Sequence, residues 1–256
     1  AEYTANHTQA YFVYDSKKSG ARTVSHLRFS PERIKSTYLI QAANFVAVHQ
    51  FNFLERYDPL AMAAPGATAL LNCRYDAGSV WERLPSRAQK QILERGLRLF
   101  VIDAYSLAQE HHLSMRINTI MQTCFFELCD VMEKETGLEA IRQSIRDTYG
   151  KRGSTIVSDN IAAVDSTLER LQEVDTSGVS VGGPEPASLI PEDAPQFVKE
   201  VTGPLLRGEG DSLPVSAFPP DGTYPGGTAR WEKRNISHSI PEWEPDLCIQ
   251  CGKCVL

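Results

Sequence analysis

Three regularly spaced cysteines near the end of the chain are the residues best suited to chemistry. Cys248, Cys251 and Cys254 are separated by two residues each in the stretch EPDLCIQCGKCVL. Three cysteine thiolates at this spacing can wrap around three corners of one iron–sulfur cubane, and Gly252 permits a close approach of the backbone. Structural zinc usually combines one such pair with two distant ligands, and exposed free thiols are unfavourable. The spacing therefore favours a 4Fe–4S site over zinc or free thiols, with its fourth ligand supplied elsewhere.

A polar turn near the start of the chain is a second candidate site. In YDSKKSG, which directly follows a predicted strand, Lys17 and Lys18 supply positive charge and Ser19 a hydroxyl. Such residues at the end of a strand could bind a phosphate, although their order is not that of a P-loop. A solvated hairpin turn has the same composition, so both interpretations stay open.

Polar residues inside apolar stretches need hydrogen-bond partners. His26 and Arg28 alternate with apolar residues, so we expect both on one face of a strand. They could present a cationic edge to a ligand, but we favour bonds within the domain. Four polar residues that interrupt a predicted helix should contact another domain or a ligand, with interdomain packing preferred: Asn118, Thr119, Gln122 and Thr123.

Composition narrows the possible partners and compartments. The chain has 256 residues, of which 42% are hydrophobic and 23% charged, as in ordinary soluble globular proteins. A net charge of −6 argues against nucleic acid held by bulk electrostatics. No apolar run approaches the roughly 20 residues of a membrane span, and no signal-peptide pattern is present. The other three cysteines are scattered through apolar segments. This distribution predicts buried thiols in a reducing, cytoplasmic compartment.

Strand and helix patterns alternate through the first two-thirds of the chain. Predicted strands span residues 10–14, 22–29, 44–50, 67–72 and 97–103. Predicted helices span residues 85–96, 116–134, 138–150 and 154–174, the last with a stripe of Ile161, Val164, Leu168 and Leu171. Such alternation predicts an α/β fold, a three-layer domain with a central, mostly parallel or mixed sheet.

The composition of the sequence changes after Val174. Residues 175–195 are rich in Gly, Pro and Ser and indicate a linker. Residues 196–245 mix Pro and Gly with several large aromatic residues, which favour burial. We therefore predict an extended irregular arm that packs along another surface.

Several blocks of sequence, taken together, resemble one enzyme family. They are YFVYDSKKSG (11–20), TVSHLRFSP (23–31), HQFNFLERYD (49–58), RINTIMQTCFF (116–126), TYGKRG (148–153), GEGDSLPVSAFPPDGTYPGGTARWEKRNI (208–236) and WEPDLCIQCGKC (243–254). In this order they resemble pyruvate:ferredoxin (flavodoxin) oxidoreductase. The resemblance implies four parts: a gamma-type α/β domain of 2-oxoacid oxidoreductases (1–174), the linker (175–195), an EKR-type connecting arm (196–245) and the truncated start of a 4Fe–4S ferredoxin domain (246–256).

The resemblance also implies a function. Members of the family oxidatively decarboxylate pyruvate on thiamine diphosphate and Mg²⁺, pass electrons through 4Fe–4S clusters to ferredoxin or flavodoxin, and transfer the acetyl group to coenzyme A. They work as homodimers, and the thiamine site belongs to domains outside these residues. Lys17, Lys18 and Ser19 then become candidates for contact with the phosphates of coenzyme A. As an internal segment, the chain is expected to be inactive alone.

Two alternatives remain open beside this hypothesis. The chain could be a non-catalytic docking module that holds domains together, which the aromatic-rich arm would suit. It could also be the equivalent segment of a pyruvate:NADP oxidoreductase fusion, because the electron acceptor is determined outside these residues. The cysteine spacing favours an oxidoreductase over the docking module.

Overall fold

The computed structural model describes residues 6–14, 22–186, 188–232 and 241–255. The strands are β1 (His7–Tyr14), β2 (Thr23–Ser30), β3 (Ala43–Val48), β4 (Ala63–Asn72), β5 (Arg98–Ile102) and β6 (Gln172–Val174). The α-helices are α1 (Phe53–Arg56), α2 (Ser86–Arg95), α3 (Ala104–Glu110), α4 (Asn118–Leu128), α5 (Lys134–Tyr149), α6 (Ser154–Arg170) and α7 (Gly203–Arg207). In these parts of the chain, no helix combines the length and apolar character needed to cross a membrane.

A four-stranded mixed sheet forms the centre of the domain. Its strand order is β3-β4-β5-β6. The first three strands run parallel to one another, with Val46 opposite Ala69 and Ala69 opposite Leu99. The last strand is antiparallel, with Phe100 opposite Glu173. The central sheet is therefore mixed, as the α/β prediction allowed.

Alternating residues of β4 and β5 divide the core between the two faces of the sheet, because successive strand residues point to opposite sides. On one face, Leu71 and Leu99 belong to a buried cluster that includes Ile92 of α2. On the other, Leu70 and Phe100 pack in a second cluster with residues of α3, α4 and α6. Helices thus cover both faces, which confirms the three-layer prediction.

The ends of α2 follow the sequence signals. Pro85 precedes its first residue, and Gly96 follows its last residue in a left-handed conformation with φ +59°. The Gly96 N–H donates to the carbonyl oxygens of Ile92 and Leu93. Glycine suits this position because it lacks the Cβ that makes positive φ unfavourable.

Two predicted helix boundaries are wrong. The helix predicted over 116–134 is too long, because α4 ends at Leu128 and Cys129 adopts an extended backbone; the next helix, α5, begins only at Lys134. The helix predicted over 154–174 ends at Arg170, and residues 172–174 form β6 instead. Pairing with β5 overrides the helical pattern there, and three residues are too few for strand periodicity to show.

Three residues of the predicted α6 stripe pack in the core, Val164 fully and Ile161 and Leu171 in part, but the fourth does not. Leu168 is 36% exposed, whereas Asn160, Ala163, Val164 and Thr167 are buried. Two of these are polar, and each bonds to the helix's own backbone. Asn160 Nδ2 donates to the Ile156 carbonyl (2.8 Å), and Thr167 Oγ1 donates to that of Ala163 (2.6 Å). Short polar residues with satisfied bonds can therefore occupy the face that the sequence pattern assigned to leucine.

A separate two-stranded ribbon precedes the central sheet. Strands β1 and β2 pair antiparallel in one continuous register, from His7 opposite Ser30 to Tyr14 opposite Thr23. The Phe29 ring lies 5.7 Å from that of Phe125 in α4, which fixes the ribbon to the domain. Both predicted strands are confirmed.

The arm contains more structure than the sequence analysis foresaw. A π-helical turn (Val198–Thr202) leads directly into α7. Ile190, Ala194 and Val198 form a small buried cluster, against which Trp231 packs. After α7 the described residues form only short 3₁₀ turns, the irregular character that was predicted.

Candidate metal centre and phosphate-binding turn

The three closely spaced cysteines lie on an exposed loop. Cys248, Cys251 and Cys254 are all free and exposed. The backbone between them includes two residues in the left-handed region, Gln250 (φ +53°) and Gly252 (φ +74°). Left-handed residues turn the chain tightly, so residues 248–252 have the local backbone of a wrapping loop, which leads into a 3₁₀ turn that contains Cys254.

Cys248 has an environment that favours its thiolate. A hydrogen bond from the Trp243 side chain, followed by the backbone N–H of Gln250, lowers the pKa of the Cys248 thiol. The Gln250 nitrogen is 3.4 Å from Cys248 Sγ. Because thiolates are the ligands of iron–sulfur clusters, these donors suit a ligand role.

The cysteines are not gathered into a formed metal site. Among the described residues, no group of three or more His, Cys, Asp or Glu side chains is arranged to hold a metal ion. The donor types and their accessibility fit an iron–sulfur cluster, and the assignment of these residues as ligands stays a prediction.

The remaining cysteines belong to the domain. Burial raises the pKa of Cys73 to about 11 and that of Cys124 to about 12. Cys129 is partly buried, and its pKa is also raised to about 12 by burial. Protonated, buried thiols behave as small apolar residues, as the sequence analysis predicted for this group.

The candidate phosphate-binding turn lies outside the described residues. This applies to Lys17, Lys18 and Ser19 alike. On its flanks, Tyr14 is 73% exposed and the Arg22 guanidinium lies 5.2 Å from the centre of the Tyr57 ring. The role of the three turn residues stays a prediction.

The polar residues of α4 divide into two pairs. Thr119 Oγ1 donates to Asn160 Oδ1 of α6 (3.3 Å), and Thr123 Oγ1 donates to the Thr119 carbonyl (2.8 Å). For these two the preferred expectation of interdomain contacts is wrong, because the neighbouring helix and their own helix satisfy them. Asn118 and Gln122 are exposed, and their contact with another domain stays a prediction.

His26 and Arg28 bond within the domain, as favoured. His26 is buried, and its Nδ1 accepts a hydrogen bond from the Ile40 N–H (3.2 Å). Arg28 Nη1 donates to Gln9 Oε1 (2.8 Å), and its Nη2 donates to the Tyr38 carbonyl (2.6 Å). The alternative of a cationic edge aimed at a ligand is therefore not needed for either residue.

Polar side chains meet at the carboxyl ends of the parallel strands, where α/β domains commonly bind ligands. Asn72 Nδ2 donates to the His49 carbonyl (3.1 Å), and Asn72 Oδ1 accepts from the Ala104 N–H (2.9 Å). Asp103 caps α3 by accepting from the Ser106 N–H (3.0 Å). These groups tie the strand ends together and satisfy one another, so their arrangement is structural.

A clamp between α2 and the predicted linker was not foreseen. We call Gln89 and residues 180–185 the linker clamp. Gln89 is 1% exposed, and its Oε1 accepts from the N–H groups of Gly182 (2.9 Å) and Gly183 (2.8 Å). The Trp81 indole also donates to the Ser180 carbonyl (3.0 Å). In the sequence, the only signals of this contact were a glutamine on the apolar face of α2 and the Gly182-Gly183 pair in the linker.

Gly183 is indispensable to the clamp's geometry. A Cβ at this position would overlap the Leu84 carbonyl oxygen and lie 3.0 Å from the Gln89 amide. Next to it, Ser86 N–H donates to the Pro184 carbonyl (2.9 Å). The predicted linker is therefore held against the domain at its middle.

The architecture defines a class of protein in which a three-layer α/β domain is followed by a linker clamped to the domain, an irregular arm and a loop with three cysteines. The family model for pyruvate ferredoxin/flavodoxin oxidoreductase matches residues 1–170. The chain belongs to this family. A second model, described as a domain of unknown function and called EKR, matches residues 184–237. The predicted domain limits stay a prediction beside these matches.

Relatives match along essentially the whole chain. The pyruvate-flavodoxin oxidoreductase of Rhodospirillum rubrum is 53% identical over 250 residues, or 98% of this chain. The one from Trichormus variabilis is 52% identical over 259 residues, and the pyruvate:ferredoxin oxidoreductase of Moorella thermoacetica 42% identical over 255, each covering 100% of the chain. The chain spans only 21–22% of the length of these relatives.

A solved structure shares the fold. A pyruvate oxidoreductase subunit from Thermotoga maritima superposes with a TM-score of 0.50 at 17% identity, covering 66% of this chain and 83% of that subunit. At this identity the likeness concerns the fold alone, and it agrees with the mixed sheet between helices described above.

Proposed function

We propose that the chain acts as one segment of a pyruvate:ferredoxin or pyruvate:flavodoxin oxidoreductase. The whole enzyme would oxidise and decarboxylate pyruvate to acetyl-coenzyme A, with thiamine diphosphate and Mg²⁺ bound by its other domains. Identity of 42–53% along essentially the entire chain carries this proposal. We further propose that the enzyme is a cytoplasmic homodimer.

The cysteine loop would connect this segment to electron transfer. Cys248, Cys251 and Cys254 would hold three irons of a cluster, with a fourth ligand from beyond the described residues. A 4Fe–4S cluster carries one electron at a time to ferredoxin or flavodoxin. The N–H donors around Cys248 support ligation, because they stabilise negative charge on its sulfur.

The turn between β1 and β2 would face coenzyme A. Lys17 and Lys18 would offer positive charge to its phosphates, and Ser19 a hydroxyl. The exposed Tyr14 directly before the turn supports a location on the surface, where a co-substrate can reach it.

The cluster assignment can be tested in the full-length polypeptide that contains this chain. Cys251→Ser should lower the iron content by about one cluster and abolish pyruvate-dependent flavodoxin reduction, because a hydroxyl replaces a thiolate ligand. Iron analysis, electron paramagnetic resonance and an activity assay measure this. Cys129→Ser is the matched control and should retain all clusters. Full iron content in Cys251→Ser would refute the ligand role.

The proposed contact of the turn with coenzyme A can be tested by steady-state kinetics of the full-length enzyme. Removing both charges with Lys17→Gln and Lys18→Gln should raise the KM for coenzyme A about tenfold, the effect of 1.4 kcal/mol, and leave the KM for pyruvate unchanged. Lys35→Gln, at an exposed lysine elsewhere in the chain, is the control. Equal effects on both KM values would point to a general structural role and contradict phosphate contact.

One observation supports the alternative function of a docking module. The linker clamp holds the linker that precedes the arm against α2, while Val215 and Trp243 of the arm are 91% and 68% exposed. An arm that follows an anchored segment and exposes large apolar side chains suits attachment to another domain. This function is compatible with the first if the segment has both roles within one enzyme.

A further inference from the structure

The two faces of the β1–β2 ribbon have unequal surroundings. One face is partly covered by the segment that follows β2, with Tyr11 and Val13 at its far end 36% and 40% exposed. There, Gln9 Nε2 donates to the Ser36 carbonyl (2.6 Å), and Arg28 Nη2 donates to the Tyr38 carbonyl (2.6 Å). Gln9 and Arg28 are therefore bonded to this segment, and so is the buried His26, which accepts from the Ile40 N–H.

The opposite face is open and carries several large apolar side chains. Cross-strand partners share a face, so the register assigns to this open face Thr8, Ala10, Phe12, Tyr14, Thr23, Ser25, Leu27 and Phe29. Phe29, at one end, packs against α4 through Phe125. Further along, Phe12 is 62% exposed, Tyr14 73% and Leu27 45%. Large side chains that could fill a core thus point outward side by side.

The open face also carries no charge. None of its eight residues is Asp, Glu, Lys or Arg, in a chain that is 23% charged. Natural proteins usually protect exposed strands with charged residues or proline, and a two-stranded ribbon alone is marginally stable in water. A large apolar patch without such protection marks an interaction surface. Its partner must be apolar and uncharged, because a charge buried there would lack a counter-ion.

We propose that the open face docks against an apolar, uncharged surface of another domain of the same polypeptide. This inference rests on the proposed function, in which the chain is one segment of a longer enzyme. About four-fifths of the length of the matched relatives lies outside the segment that this chain covers. A domain tethered in the same polypeptide has an effective concentration of roughly millimolar, which favours it over a second copy of the chain.

Docking through this face would also position the neighbouring turn. Residues 15–21 connect the ends of β1 and β2 in sequence, directly beyond Tyr14 and Thr23. A ribbon held on both faces would hold Lys17 and Lys18 with respect to the partner domain. The open face is thus a positioning surface for the proposed coenzyme A contact.

The test compares Phe12→Lys with Leu93→Lys, in the 256-residue chain and in the full-length polypeptide. Leu93 is an exposed residue of α2, on the other side of the central sheet from α4, and serves as the control. In the 256-residue chain both variants should melt like the wild type, because both side chains are exposed. In the full-length polypeptide Phe12→Lys alone should lower Tm, by about 4 °C or more, because a lysine would be buried at the domain contact.

Three results would overturn the docking proposal. The first is an unchanged Tm of full-length Phe12→Lys. The second is an equal loss in the 256-residue chain, which would show that Phe12 stabilises its own ribbon. The third is a concentration-dependent dimer of the 256-residue chain that Phe12→Lys dissociates, which would make a second copy the partner. If the Tm pattern appears but full-length wild type transfers no electrons from pyruvate, the docking stands and the proposed function fails.

Discussion

The α/β domain and the arm bury their apolar residues to very different extents. In the domain, Leu71 and Leu99 are 0% and 1% exposed within a cluster on one face of the sheet. In the arm, one small cluster around Val198 is buried, while Val215 and Trp243 are 91% and 68% exposed. The domain therefore contains its own core, whereas most of the arm lacks one within the described residues.

This difference indicates where each region gains its stability. Burial of apolar surface contributes about 25 cal/mol per Å², so the domain is stabilised by its own packing. The arm's conformational entropy cost is not offset in the same way. Its order depends on anchors, of which the linker clamp is the clearest.

The largest expected effect comes from a core substitution. Leu71→Ala should lower the free energy of unfolding by about 2–5 kcal/mol, because it leaves a cavity in a fully buried cluster. Val215→Ala, the counterpart in the arm, should change it by less than about 0.5 kcal/mol. Urea denaturation followed by circular dichroism measures both. Similar losses at the two positions would mean that the arm shares the domain's core, and the comparison would break down.

A smaller, local effect is expected at the linker clamp. Gly183→Ala should weaken the clamp by about 1–3 kcal/mol, because its Cβ would overlap the Leu84 carbonyl oxygen. Limited proteolysis should then cut residues 175–186 faster, since cleavage follows the population of the open state. Gly182→Ala is the control, because a Cβ there meets nothing within 4 Å. If both variants were cut at the wild-type rate, the clamp would not anchor the arm.

Sequence patterns predicted those parts of the domain in which the local conformational preference of the residues agrees with the packing of the folded domain. The five predicted strands exist, since alternating or continuous apolar runs match the two packed faces. Gly96 ends α2 as predicted, because its left-handed conformation is a local requirement. β6 was missed because three residues carry too little pattern, and only the partner strand determines their state.

The candidate sites were only partly predictable. The spacing of Cys248, Cys251 and Cys254 is a local signal that needs no knowledge of the fold. The partners of Thr119 and Thr123 depend on how α4 packs against α6, which sequence alone does not determine. Gln89 was overlooked for the same reason: its bonds join positions more than 90 residues apart.

The position of the linker clamp has a consequence for insertions and fusions. Between β6, which ends at Val174, and the clamp, the chain makes an exposed turn in which Ser177 N–H bonds to Asp175 and Gly178 is left-handed. Both ends of this turn are anchored, so added residues would loop outward, and doubling a loop's length costs only about 0.6 kcal/mol. An inserted tag or reporter would therefore be tolerated at residues 176–178. The same insertion between Gly182 and Gly183 would separate the two N–H groups that bond to Gln89 and would disrupt the linker clamp.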